Sequence, residues 1–306
     1  MSGIEITLSE SRGLKGFSIL LVIFHHFVQY YADYLPPFLL VFRGVGVIAC
    51  ALFFFLSGYG LSISIHRKNT RYWLRRFWLI YASFVLANAI FITFELIMAN
   101  YEHNGIGHFF ANLLGIELVT SGYWFIPCIL CMYLAFSLSN NVWIQIFLCL
   151  LFGGAYTVIQ YAPGSISWLA FPLGIIVARN DKQMQYGSLL YILSSILFII
   201  SFVFYYQHNM LLNEWINIVF FVLMILTFPI ALMKLKLVFR NKILQYVGQN
   251  SLDYYLMHFI ALLLVKELFP SSPLIAIFLL VLFVFVICFL FKLIRNNSVD
   301  KFASKL

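Results

Sequence analysis

The chain has 306 residues, 63% of them hydrophobic and 10% charged, with 19 Lys and Arg against 11 Asp and Glu. Its mean hydropathy is +0.96. No water-soluble domain hides that much apolar surface, so composition excludes a soluble globular protein and points to an all-α, polytopic membrane protein.

The first apolar run follows SRGLKG and reads FSILLVIFHHF, ending at Phe27. No small-x-small cleavage site follows it and further spans do, so it does not read as a removable signal peptide. As a helix, Lys15 and His26 lie within roughly 20° of one face and ~16 Å apart along the axis. Arg12 falls about 40° to the side of His26, while His25 is about 80° away from Lys15, on another face. One stripe thus joins a cation at the membrane surface to an imidazole near mid-bilayer. An ionisable group at that depth is costly and is by default a functional candidate. The competing reading is a histidine bonded to a neighbouring helix as packing glue.

Ten runs near the ~20-residue spanning length can be marked. They cover 14–32, 44–65, 74–98, 122–140, 142–159, 165–179, 186–206, 214–233, 250–268 and 273–292; Pro172 makes the sixth a candidate for irregular structure. Charge gives an independent check. With the N-terminus inside, 17 of the 19 Lys and Arg fall on one side and only Arg43 and Lys266 on the other. The positive-inside rule predicts that asymmetry and puts both termini in the cytoplasm. Topology therefore accounts for the net charge of +8, and no nucleic acid is required. No polar stretch exceeds a loop in length, so 1–306 reads as a single integral membrane domain, without internal repeats or low-complexity segments.

The second span, GVGVIACALFFFLSGYG, ends in Ser57, Gly58 and Tyr59. Its glycines and Ser57 permit close helix approach. A serine nucleophile would need a strand-to-helix elbow, which is missing; backbone at Gly58 could instead face a ligand. The third span opens on HRKNTRYWLRR. Arg71 and Arg75 share a helix face, Arg76 is adjacent, and aromatics interleave. Guanidinium forks suit phosphate and aromatic faces suit a purine; anionic lipid headgroups suit the same cluster. Both readings stand.

Residues 99–121 carry Glu102, His103, His108 and Glu117 among glycines, and end against Tyr123 and Trp124, which suit an interfacial belt. A solvated loop and a lip for substrate access are both compatible with this stretch. Cys128 and Cys131 form a C-x-x-C without a second pair at zinc spacing, so the five cysteines read as packing residues and no metal site is expected. The ninth span opens on GQNSLDYYLMHF. Asn250 or Ser251 can cap it, with Asp253 in the positive first turn. Asp253 and His258 are about 140° apart and form no same-face dyad.

Taken in order, GLKGFSILLVIFHHF, FFFLSGYG, the basic third-span opening, YWFIPCILCMY and NSLDYYLMHF resemble the bacterial acyltransferase-3 family of integral membrane O-acyltransferases, over nearly the whole chain. The family's first-span motif, a basic residue and then histidine eleven positions on, is met by Lys15 and His26, with lysine where arginine is usual. Its third-span Arg-x-x-Arg is incomplete: Leu79 and Ala82 stand where a second arginine and a proline are expected. Either Arg71 substitutes from a turn earlier or the motif is degenerate. The resemblance implies a stand-alone form without an SGNH-type domain, in the bacterial cytoplasmic membrane. It implies transfer of an acyl group, usually acetyl, from cytoplasmic acyl-CoA, a co-substrate and not a resident cofactor, to a hydroxyl of a cell-surface or lipid-linked glycan.

On that reading His26 acts as general base, with Lys15 on its stripe. Arg71, Arg75, Arg76, Ser57, Gly58 and Tyr59 surround the donor, and Trp124, Asp253 and His258 the acceptor. The competing class is a transporter or flippase of lipid-linked saccharides with the buried histidines as proton relay.

Overall fold

The computed structural model describes residues 6–67, 71–101, 105–160, 163–180, 188–207, 215–235 and 238–300. Lys68, Glu102, His103, Lys182, Lys236, Lys301 and Lys305, used above for charge and loop character, lie outside the described residues. Twelve α-helices follow in order among the described residues: α1 (Leu8–Tyr30), α2 (Val45–Arg67), α3 (Arg71–Ile97), α4 (Ile106–Leu114), α5 (Phe125–Ser137), α6 (Val142–Gln160), α7 (Ala170–Asn180), α8 (Ser188–Gln207), α9 (Trp215–Lys234), α10 (Lys242–Gln249), α11 (Ser251–Leu268) and α12 (Pro273–Arg295). No strand occurs among the described residues.

Each of the ten apolar runs contains one α-helix among the described residues; α4 and α10 are additional and fall in stretches read as loops. Among the described residues four helices are long and apolar enough to cross a bilayer: Pro37–Ser64, Trp73–Ile97, Val142–Ile159 and Pro273–Val299. Four more apolar helices are shorter. Polar residues dilute the other two, half-buried Lys15 and His26 with buried His25 in α1, and buried Asp253 and His258 in α11. The run at 165–179 is irregular in its first part, the 3-10 segment Pro163–Leu169, while Pro172 makes no break of its own: it sits in the first turn of α7, where a missing N–H leaves no bond unmade.

The N-terminus of α1 is set locally. Thr7 and Glu10 form a capping box, Thr7 Oγ1 accepting from the Glu10 N–H at 3.3 Å and the Glu10 carboxylate accepting from the Thr7 N–H at 2.8 Å. The buried Glu10 carboxylate also pairs with Arg240 at 3.0 Å, tying α1 to the segment that leads into α10. From that start α1 runs unbroken past both histidines.

α2 and most of α11 are buried, whereas α12 presents Leu274, Phe278, Leu282, Phe285, Phe289 and Leu293 outward. Apolar side chains on an outer helical face need no protein partner when the solvent is lipid. Residues 105–121 hold a helix and not only a solvated loop: the Asn88 amide donates to the carbonyls of Asn112 and Leu113 at 3.0 and 3.2 Å, pinning α4 to α3. Asn250 precedes α11, but its side chain makes no cap there. Its amide donates back to the Tyr246 carbonyl at 2.8 Å, and its Oδ1 accepts from Lys292 Nζ at 2.6 Å. The five cysteines are free thiols.

Candidate active site

Small residues bring α1 against α10. A Cβ on Gly16 would stand 2.0 Å from the Leu244 carbonyl oxygen, and one on Gly248 would stand 1.7 Å from that of Arg12. Only glycine permits that approach, and it carries Lys15 to the edge of a cavity of about 220 Å³. Arg76, Arg295, Ser57, Tyr133 and Tyr255 share the lining, and so does Leu79. The Arg76 guanidinium stands 5.8 Å from the centre of the Tyr133 ring.

A second cavity, about 40 Å³, lies further along α1 and is lined by His25, His26, Gly46, Cys50, Trp124 and Tyr255 among others. Tyr255 belongs to both. The two spaces run in series along one seam, because each flanking helix supplies one stripe to both. On α2, Ser57 and Phe53 line the first and Cys50 and Gly46 the second, a spacing that keeps them on one face. Before and along α5, Tyr133, Ile129 and Ile126 give way to Trp124 and Gly122. At the boundary the Tyr255 hydroxyl donates to the Gly122 carbonyl and the Tyr123 hydroxyl to that of Leu256, so α11 and the lead-in to α5 are stitched together.

Three imidazoles gather at the far end. His25 and His26 have ring centres 4.7 Å apart, and His26 stacks on His258 at 5.3 Å and against Phe259 at 4.5 Å. Their tautomers follow from their partners, since a carbonyl oxygen only accepts. His258 Nδ1 donates to the Tyr255 carbonyl at 2.7 Å and His25 Nδ1 to that of Phe42 at 3.3 Å. His26 Nδ1 stands 2.9 Å from Gln29 Oε1. In each neutral ring the lone pair is then on Nε2. The edge of His25 bearing Nε2 is closed by Gly46, whose added Cβ would meet Cδ2 at 2.4 Å and Nε2 at 2.9 Å. That leaves half-buried His26 as the imidazole with room beside it on the wall of the small cavity.

The residues singled out from the sequence thus separate. Lys15, Arg76 and Ser57 meet at the first cavity, His26 and Trp124 at the second, and His258 backs His26 while fully buried. Gly58 faces α7, where its Cβ would stand 2.2 Å from the Phe171 carbonyl. Tyr59 is buried and accepts the Ile6 N–H at 3.1 Å. Arg75 is exposed, and the Arg71 side chain lies outside the described residues. Asp253 lines neither cavity; its carboxylate lies 3.3 Å from Arg295. His25, assigned by rotation to another face, shares the small cavity with His26 because a cavity between helices is wider than one stripe. Gln29, Tyr255 and Arg295 were not anticipated. Gln29 lies three residues beyond His26 on the same face, a spacing visible in the sequence; the other two carry no local signal. Among the described residues no cluster of His, Cys, Asp or Glu is suited to a metal ion.

A family model described as an acyltransferase domain matches residues 9–293. No curated protein and no solved structure matches the chain.

Proposed function

Since this chain belongs to the acyltransferase-3 family, and is in general terms a membrane acyltransferase, we propose that it moves an acyl group, acetyl in the first instance, from cytoplasmic acyl-CoA to a glycan hydroxyl. The observation that carries this is the seam: a basic cavity and an imidazole cavity in series, meeting at Tyr255. Lys15 and Arg76 hold the carrier's phosphates. The pantetheine arm runs along the α1 stripe toward His26, a rise of ~16 Å on an unbroken helix. At about 220 Å³ the first cavity is smaller than the ~300–1,000 Å³ of an ordinary ligand pocket, so the carrier's base stays outside its mouth. The second cavity has room for a hydroxyl-sized group and not a whole sugar, so the acceptor inserts only its reacting oxygen.

Chemically, His26 Nε2 takes the proton of that hydroxyl as the oxygen attacks the thioester carbonyl. The carbon–sulfur bond breaks, and the thiolate leaves with the carrier and receives the proton. Gln29 holds the His26 tautomer and His258 backs the ring. The Tyr255 side chain swings or yields for the thioester to pass between the two cavities. The same reading has ten crossings of the bacterial cytoplasmic membrane, with both termini in the cytoplasm, so that Lys15, Arg76 and Arg295 face the donor's compartment. The transport alternative is not favoured, because the family is one of transferases.

The test uses membranes containing the full chain, acetyl-CoA and glycan extracted from the cell surface, with free thiol and ester formation both read. Wild type is expected to release thiol in step with ester. His26→Gln should lower the rate by about 10²- to 10⁴-fold, the usual contribution of a positioned base. A wild type that consumes no thioester, or a His26→Gln variant at full rate, refutes the assignment.

A further inference from the structure

The family's third-span motif is incomplete at Leu79, yet Leu79 lines the same cavity as Arg76, so the gap in the motif is a gap in that wall. Arg295, at the end of α12 and 216 positions away, lines the cavity too. Its side chain is only 13% exposed, and Nη1 lies 3.3 Å from the Asp253 carboxylate, itself buried in α11. Asp253 therefore aims the guanidinium. No carboxylate lines this cavity among the described residues, and Glu10, the other buried acid at this end, is engaged by Arg240. Lys15, Arg76 and Arg295 thus line one half-buried space. An ammonium and two guanidinium groups sharing a wall suit a phosphate.

We propose that Arg295 is a phosphate-binding residue of the donor site, supplying from the last helix the guanidinium that the third span lacks at Leu79. This rests on the acyl-CoA reading above. Asp253 is then a positioning residue for Arg295 and not an acceptor contact. The ligand chemistry is a phosphate or pyrophosphate, and lipid headgroups are the other source of it.

The experiment titrates coenzyme A onto the full chain in nanodiscs of phosphatidylcholine, and again with added phosphatidylglycerol. Arg295→Ala is expected to weaken binding by about 10- to 100-fold, the range of hydrogen bonds to charged groups. Leu79→Arg in the Arg295→Ala background should recover much of that loss. Asp253→Asn combined with Arg295→Ala should stay weak. Recovery in that double variant would instead mean that Arg295 only neutralises Asp253, and would overturn the proposal. So would an unchanged affinity in Arg295→Ala, or an effect of Arg295→Ala seen only with phosphatidylglycerol present; either leaves the donor reading intact. Wild type failing to bind coenzyme A in either disc would overturn the donor reading and this proposal together.

Discussion

Replacing Gly16 by alanine tests whether backbone proximity positions the basic end of the seam. The added Cβ would stand 2.0 Å from the Leu244 carbonyl oxygen and 2.8 Å from its carbon, where ordinary contact begins near 3.4 Å. Both obstructing atoms are backbone, so no rotamer change relieves the clash. α1 and α10 must part by more than 1 Å, and overpacking of that kind costs about 1–3 kcal/mol or somewhat more. Lys15 is the preceding residue and Gly248 of α10 lines the same cavity, so the displacement falls on the donor site. A shift of ~1 Å in a bound group costs on the order of 10²-fold in rate. Gly16→Ala should therefore melt at a lower temperature and bind coenzyme A more weakly. Gly154→Ala, with nothing within 4 Å of its Cβ, serves as the matched control and should be neutral or slightly stabilising. Wild-type melting and affinity in Gly16→Ala would refute the claim that the α1–α10 approach holds Lys15 in place.

Other outcomes follow from the same geometry. Arg76→Ala should weaken coenzyme A binding at least about 10-fold, while exposed Arg75→Ala changes it little; the reverse order, read by the same titration, would move the donor site to the outer face of α3. His25→Gln should cost far less activity than His26→Gln, because Nε2 of His25 is shut against Gly46; equal losses in the thiol-release assay would deny that distinction. Glu10→Ala removes both the capping box and the partner of Arg240 and should destabilise by about 1–2 kcal/mol, seen as a lower thermal midpoint with donor affinity measured alongside. A reporter fused after Leu306 should be cytoplasmic, and an external one would remove the ten-span layout.

Much of the architecture was written in one-dimensional patterns. The apolar runs mark where ten of the helices form, four of them long and apolar enough to span, because hydrocarbon forces backbone groups to bond within the segment. The Lys15-to-His26 stripe is also local, since it needs only 3.6 residues per turn, and α1 is indeed continuous across it. Short amphipathic helices such as α4 and α10 were not visible, because the hydrophobic-run criterion that finds spans passes over them.

The site divides along the same line. His26, Lys15, Arg76, Ser57 and Trp124 could be chosen from residue type, depth and ordered motifs, each of which is a property of one helix or its near flank. What the chain order could not disclose is which helices share a wall. Arg295 and Leu79 share a cavity wall, Tyr255 stands between the two cavities and Asp253 turns to α12 because α11 packs against both α3 and α12. That adjacency is decided by side-chain fit between segments far apart in sequence. Tertiary packing likewise separated His26 from His25, neighbours in the chain whose open edges differ only because Gly46 of α2 lies against one of them.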